Sequence, residues 1–155
     1  MKLFGHPVHP MLVGFPLGLL LTGVGFDLAY LATGSASMAA TAYYMMLVGV
    51  ITGVVAEIFG LWDWLYIEKG TRAKRVGAWH GIGNFFAVLL FAISVYMRYA
   101  APGFIASGNA MWLSLAGALL LAVTGWLGGE LVFTLGEGVD KNAHANAPSS
   151  LSQEK

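Results

Sequence analysis

Residues 41–66 read TAYYMMLVGVITGVVAEIFGLWDWLY, and their only charged side chains are Glu57 and Asp63. At 1.5 Å of rise per residue, an apolar stretch of this length makes a helix long enough to cross the roughly 30 Å hydrocarbon core of a bilayer. Its apolar residues do not alternate with polar ones, as the strands of a membrane barrel would require. The stretch therefore predicts a membrane-spanning helix.

Three further stretches, 10–32, 76–99 and 110–135, meet the same requirement. The whole chain is 57% hydrophobic and 10% charged, which is far too apolar for a protein that folds in water. We therefore predict an all-α fold, a four-helix transmembrane bundle over residues 1–136. Residues 137–155 are polar and show no helical periodicity, so we expect a disordered tail.

The basic residues indicate how the bundle is oriented. Four spans put both termini and the connection between the second and third helices on one side. The lysines and arginines of that side are Lys2, Lys69, Arg72, Lys74, Arg75, Lys141 and Lys155. The other side has Arg98 alone, so the positive-inside rule places both termini in the cytoplasm. Anionic lipid headgroups explain the cluster at 69–75 better than nucleic acid does.

Glu57 is an ionisable residue near the middle of its predicted span. It shares one face of that helix with Gly49, Gly53, Gly60 and Trp64, at steps of three and four, so this face is expected to meet other helices. A carboxyl group in hydrocarbon is costly unless it is paired, protonated or hydrated. Glu57 is thus either a proton-relay or ion-pathway residue, or a neutral interhelical hydrogen bond. Asp27 and Arg98 both lie near the external surface of the membrane, where we expect them to form a partly exposed, structural ion pair.

The cytoplasmic ends of the helices carry polar groups at similar depths, and we expect these groups to converge on one pocket: His6, His9, Asp63, His80 and Glu130. Imidazoles and carboxylates bind transition metals, which makes all five candidate metal ligands. Two imidazoles can also hold b-type haem, for which the candidates are His6, His9, His80, Glu130 and Asn84. Asn84 shares a face with His80, and nearby Gly77 and Gly83 would leave room for a flat ligand. The alternative is a structural cluster whose members hydrogen-bond one another.

The sequence also excludes several classes of site. Because the chain has no cysteine, it has no disulfide, no thiolate ligand and no covalent c-type haem. It carries no Ser-His-Asp order, no phosphate loop and no NAD fingerprint, so no catalytic residue is assigned and a conventional enzyme is not indicated.

Three motifs resemble a known family: GHPVHPMLVGFPLGLL at 5–20, GAWHGIGN at 77–84 and WLGGELVFTLGEGV at 126–139. They are similar to the DUF2231 family of bacterial integral membrane proteins. The resemblance implies a small four-helix protein of the bacterial inner membrane. It also implies a redox or haem setting, since some members are fused to Rieske-type iron–sulfur domains and the family looks distantly similar to four-helix b-type cytochromes.

The matching motif positions imply importance for His6, His9, His80, Asn84, Gly128, Gly129 and Glu130. This chain has Gly14 before Phe15 and Pro16, where the family often has histidine. The departure weakens the expectation of bis-histidine haem more than that of a metal or structural site.

Three functions remain open from the sequence. The first is haem or transition-metal binding for electron transfer with a redox protein partner, using His80 with His6 or His9 and with Glu130 or Asp63 in support. The second is a non-catalytic membrane subunit or homo-oligomer whose polar cluster is structural. The third is proton or ion transport through Glu57, although four short spans without broken helices argue against a solitary transporter.

Overall fold

The computed structural model describes residues 2–150. Its long helices are α2 (Gly14–Thr33), α3 (Ala36–Tyr66), α4 (Arg72–Tyr99) and α5 (Gly108–Gly129). A short helix α1 (Val8–Leu12) leads into α2, a 3-10 turn spans Pro102–Phe104, and α5 ends in a π-helical turn, Glu130–Thr134. Two short strands, β1 (Lys2–Leu3) and β2 (His6–Pro7), pair antiparallel. The four helical spans are long and apolar enough to cross a membrane, which confirms the predicted four-helix transmembrane bundle.

The starts of α4 and α5 differ from the predicted ones because local capping extends these two helices. Thr71 accepts a hydrogen bond from the Lys74 amide at 3.1 Å, so α4 begins at Arg72 rather than at 76. Ser107 does the same for the Ala110 amide at 3.3 Å at the start of α5. A serine or threonine in this position satisfies a backbone N–H that the first turn leaves without a helical partner.

The first span is interrupted at Val13, between α1 and α2. Pro16 explains the interruption, because a proline has no N–H to donate to the carbonyl four residues earlier, that of Leu12. Regular bonding resumes when the Leu17 amide donates to the Val13 carbonyl at 3.3 Å.

The bundle consists of two antiparallel hairpins. Helix α2 packs most extensively on α3, and α4 on α5, while α3 and α4 join the two pairs. We call α1–α3 the first hairpin and α4–α5 the second hairpin. Leu20, Met46 and Phe91 are fully buried at the centre. Most other large apolar side chains are exposed on the outside, where a bilayer would cover them.

Glycines permit the close approach of the helices. A Cβ added at Gly49 would lie 2.7 Å from Leu20, and one at Gly53 would lie 3.1 Å from Val88. The ring of Trp64 covers Gly77 in the same way, since a Cβ added at Gly77 would lie 2.9 Å from that ring. These contacts confirm that the predicted face of α3 meets other helices.

Candidate histidine site at the basic end

The α3–α4 connection, which carries Lys69, and the start of α4, which carries Arg72, Lys74 and Arg75, mark one end of the bundle, which we call the basic end. His9, in α1, lies there on the surface of α3. Its Nδ1 is 2.8 Å from the Ala56 carbonyl oxygen, and the ring rests on Gly60, where an added Cβ would be 2.8 Å from Cε1. Gly60 follows Ala56 by one helical turn, so its missing side chain is what lets the imidazole reach that carbonyl.

His80, in α4, is seated on α5 by the same arrangement. Its Nδ1 is 2.8 Å from the Thr124 carbonyl oxygen, and Gly128, one turn further on, lies beneath the ring. An added Cβ at Gly128 would be 2.9 Å from Cε1 of His80. Each hairpin therefore ties its two helices together through one histidine.

The two imidazoles face each other across the junction between the hairpins. Their ring centroids are 6.3 Å apart and their planes meet at 82°. Because a carbonyl oxygen only accepts, each Nδ1 must carry the proton, and each neutral ring then has its lone pair on Nε2. This is the arrangement in which a histidine usually offers Nε2 to a metal or another acid.

The two Nε2 atoms have different surroundings. Nε2 of His80 accepts a hydrogen bond from the Asn84 amide at 3.1 Å, and Asn84 Oδ1 accepts one from the Thr124 hydroxyl at 2.6 Å. His80, Asn84 and Thr124 thus form a closed ring of hydrogen bonds. Nε2 of His9 has no hydrogen bond to another of residues 2–150.

The glycines near His80 do not leave the space expected for a flat ligand. Trp64 occupies the space beside Gly77, and the Thr124 methyl group packs directly against Gly83. This part of the prediction is wrong because the helices use these glycines to approach one another. A planar macrocycle packed against Gly77 or Gly83 would have to displace one of these side chains.

The other predicted ligands do not join the histidine pair in one pocket. His6 is exposed and its Nε2 lies 3.2 Å from the Ser150 hydroxyl. Glu130 accepts hydrogen bonds from Arg72 at 2.7 Å and from Thr134 at 2.9 Å. Asp63 is half-buried in α3. Within residues 2–150, no group of three or more His, Asp or Glu side chains is placed to hold a metal ion. The expected convergence of five residues is thus reduced to His9 and His80.

At the opposite end of the bundle, Asp27 and Arg98 form the predicted ion pair, but it is buried rather than partly exposed. Two parallel hydrogen bonds of 2.6 Å join the carboxylate to the guanidinium, and Arg98 is 0% exposed. Ser94 and Ser114 accept further hydrogen bonds from Arg98 at 3.1 and 3.2 Å. The long arginine side chain turns inward because the serines and the carboxylate together satisfy its donors.

Glu57 lies in α3 close to the histidine pair. Its Oε1 is buried and has no hydrogen-bond partner within residues 2–150. Gly53 contacts Val88 across the antiparallel α3–α4 interface. Since Glu57 follows Gly53 by four residues and Asn84 precedes Val88 by four, Glu57 and Asn84 lie at the same level of the bundle.

A family model for predicted membrane proteins, DUF2231, matches residues 5–141, which include all four spans and both histidines. The chain belongs to the DUF2231 family. Neither a curated protein nor a solved structure matches it. The helices of this DUF2231 protein thus agree with the family description, which states membrane location and nothing about chemistry.

The two backbone carbonyls that hold the histidines in this DUF2231 protein, those of Ala56 and Thr124, escaped prediction. Gly60 was predicted only to face other helices, and Gly128 only to be important by its motif position. Both glycines act here through the absence of a side chain. A sequence signal exists nonetheless: each carbonyl residue is followed four positions later by a glycine, Gly60 or Gly128. Such a pair in a membrane helix indicates a carbonyl that a polar side chain from another helix can reach.

Proposed function

We propose that this protein binds a redox-active transition-metal centre through His9 and His80 and transfers electrons in the membrane. The observation that carries the proposal is the geometry of the two imidazoles, which come from different hairpins. Each has its Nδ1 fixed by a backbone carbonyl, and their ring centroids are 6.3 Å apart. Such backbone hydrogen bonds fix the tautomer and orient the ring of a metal-binding histidine.

The number of protein ligands narrows the class of metal. Zinc in proteins takes four protein ligands, or three and a water, and no group of three candidate side chains exists within residues 2–150. His9 and His80 would be the protein ligands of either a copper ion of low coordination number or the iron of a b-type haem. The close packing at Gly77 and Gly83 favours a single ion over haem.

Asn84 bears directly on this proposal. Its amide occupies Nε2 of His80, so a ligand can bind there only after the amide moves aside. His9, whose Nε2 has no such partner within residues 2–150, is therefore the first point of attachment. When bound, the centre would supply one-electron chemistry, while the histidines hold it between the hairpins near the basic end.

The test uses full-length protein purified gently from membranes, with metal content and the reduced-minus-oxidised visible spectrum measured on each sample. Wild type is expected to hold near-stoichiometric metal or haem, and His9→Ala and His80→Ala are expected to lose it. His144→Ala, in the polar tail, is the matched control and should retain it. Asn84→Ala keeps both histidines, frees Nε2 of His80 and should bind the metal more tightly.

Two results would overturn the proposal. One is a cofactor content that is the same in wild type and in a helical, monodisperse His80→Ala protein. The other is wild type and Asn84→Ala that both fail to take up copper(I) or haem when these are supplied in excess. The visible spectrum distinguishes the two cofactors, since only b-type haem gives sharp bands in the reduced state.

A second candidate, proton exchange through Glu57, is favoured by the buried oxygen that has no hydrogen-bond partner within residues 2–150. It ranks second because a fully buried apolar layer of Leu20, Met46 and Phe91 separates the histidine pair from Asp27 and Arg98. Proton flux into liposomes should fall in Glu57→Gln and remain normal in Glu68→Gln, whose carboxylate is exposed. Equal flux in Glu57→Gln and wild type would reject this role.

A further inference from the structure

The buried residues of α2 and α4 correspond to one another at a constant separation in sequence. Each buried residue of α2 has a buried counterpart in α4, at the separation of 71 positions that divides Asp27 from Arg98. The matched pairs are Pro16 with Ala87, Leu20 with Phe91, Gly23 with Ser94, and Asp27 with Arg98. His9 and His80 stand at the same separation.

Helices α3 and α5 show the same correspondence at a separation of their own, that between Gly49 and Gly117. Every buried residue of α5 has a buried counterpart in α3. The matched pairs are Ala42 with Ala110, Met46 with Ser114, Gly49 with Gly117, Gly53 with Leu121, and Ala56 with Thr124. Helical periodicity alone would align some of these positions, but it would not reproduce the contacts between them.

The contacts within the two hairpins also repeat. Leu20 lies over Gly49 in the first hairpin, and its counterpart Phe91 lies over Gly117 in the second. The Ala42 carbonyl faces Gly23, and its counterpart, the Ala110 carbonyl, accepts a hydrogen bond from Ser94 at 2.7 Å.

The carbonyl and glycine contacts of the two histidines also repeat. His9 with Ala56 and Gly60 matches His80 with Thr124 and Gly128, at identical hydrogen-bond distances of 2.8 Å. The two hairpins are therefore the same structural unit.

In two of the matched pairs the equivalent residues lie next to each other across the bundle. His9 faces His80, and Asp27 binds Arg98. In a twofold arrangement only residues on or near the axis contact their equivalents. These two contacts therefore place an approximate twofold axis along the bundle, through the histidine pair at one end and the ion pair at the other. The symmetry is approximate, since α3 packs on α4 more closely than α2 packs on α5.

We propose that the chain is a tandem duplication of one helical hairpin. In this proposal Asp27 and Arg98 make each hairpin pair with the other hairpin rather than with a second copy of itself. Two first hairpins would bring two Asp27 carboxylates together on the axis, and two second hairpins would bring two Arg98 guanidinium groups together. Buried like charges oppose both pairings, whereas the unlike pairing gives a bidentate ion pair. This inference does not depend on any metal.

The duplication also provides an internal comparison for the histidine site. Asn84 corresponds to Val13, and Thr124 corresponds to Ala56, so the first hairpin seats its histidine without an amide or a hydroxyl. The Asn84 and Thr124 side chains are thus not needed to seat a histidine on the neighbouring helix. Asn84 instead holds Nε2 of His80, and the Thr124 hydroxyl holds Asn84, which makes both of them positioning residues.

The experiment exchanges the charges in the full-length chain. Asp27→Arg and Arg98→Asp each place like charges at the axis, and we expect the yield of monodisperse protein to fall at least tenfold in each. The double variant Asp27→Arg with Arg98→Asp restores opposite charges at equivalent positions and should recover most of that yield. The Arg72–Glu130 pair at the surface is the control. Exchanging its charges should change the yield of monodisperse protein little, in the single variants and in the double variant.

A second variant supports the exchanged arginine with the hydroxyls that Arg98 normally uses. Gly23 and Met46 are the counterparts of Ser94 and Ser114, so Gly23→Ser with Met46→Ser is added to the charge exchange. The two changes belong together because a Cβ at Gly23 would lie 2.7 Å from Met46. If both exchanged variants yield no more folded protein than the single reversals, the two positions are not equivalent and the proposal is overturned.

Discussion

At the scale of single residues, the glycines beneath the imidazoles are the most sensitive positions. Gly60→Ala and Gly128→Ala would each place a methyl group under 3 Å from an imidazole carbon. The ring must then leave its backbone carbonyl, and overpacking of this kind costs about 1–3 kcal/mol. Thermal unfolding in detergent should show a lower midpoint for both variants.

Gly14 and Gly18 provide matched controls, because a Cβ at either position meets no atom of residues 2–150 within 4 Å. Alanine there should leave the midpoint unchanged or raise it slightly, since alanine is the better helix former. A Gly60→Ala protein as stable as Gly18→Ala would show that His9 does not rest on Gly60 in the membrane.

Thr124 permits a test of the hydrogen-bond ring at His80. Thr124→Val keeps the shape of the side chain and the carbonyl that His80 uses, but removes the hydroxyl that binds Asn84. We expect a loss of about 1 kcal/mol, because the Asn84 carbonyl loses one hydrogen bond. Thr52→Val is the control, since within residues 2–150 the Thr52 hydroxyl donates only to the Val48 and Gly49 carbonyls of its own helix. Equal unfolding midpoints for the two variants would contradict the proposed contribution of the Thr124–Asn84 hydrogen bond to stability.

At the scale of the elements, Lys74 joins the end of α3 to the start of α4. Its ammonium group donates to the Trp64 and Leu65 carbonyls at 2.5 and 3.3 Å and lies 4.0 Å from the Trp64 ring centroid. These carbonyls are among the last of α3, where a helix leaves acceptors unsatisfied and favours a cation. Lys74→Met should therefore loosen the end of α3.

Hydrogen exchange measures this effect. Amides of residues 62–67 should exchange several-fold faster in Lys74→Met, whereas Arg75→Met, with an exposed side chain in the next position, should match wild type. Acceleration in both variants would indicate a general effect of net charge rather than the specific contacts of Lys74.

The elements also show what the sequence could predict. Four helices followed from the length of the apolar stretches, because the bilayer sets a minimum length that composition alone reveals. The inward face of α3 followed from the spacing of Gly49, Gly53 and Trp64. The starts of α4 and α5 did not follow, because Thr71 and Ser107 extend these helices through single hydrogen bonds that hydropathy ignores.

The candidate site was predictable only in part, for a physical reason. Depth along a helix can be counted from the sequence, so polar groups near one end were identified correctly. The direction each side chain takes depends on packing: Glu130 binds Arg72, and His6 lies by Ser150. The predicted disorder of 137–155 stays a prediction, and its last residues, 151–155, lie outside the described part of the chain, as does the side chain of Lys155 in the charge count.

At the scale of the whole molecule, function is constrained by the histidine pair, the Asp27–Arg98 pair and the apolar layer that separates them. The histidine pair and the Asp27–Arg98 pair lie on one axis, and Leu20, Met46 and Phe91 fill the space between them. The histidine pair is thus closed toward the opposite end, and a ligand or an electron must enter from the basic end or from the side. The orientation of the bundle therefore decides which compartment the site serves.

Orientation can be measured without background, because the chain has no cysteine. Glu68→Cys lies at the basic end and Asn109→Cys at the opposite end, both at exposed positions. The positive-inside rule predicts that the basic end faces the cytoplasm. A membrane-impermeant maleimide should therefore label Asn109→Cys in intact cells and Glu68→Cys only after lysis. The reverse pattern would put the histidine pair on the outer face, where a partner would have to be an extracytoplasmic protein.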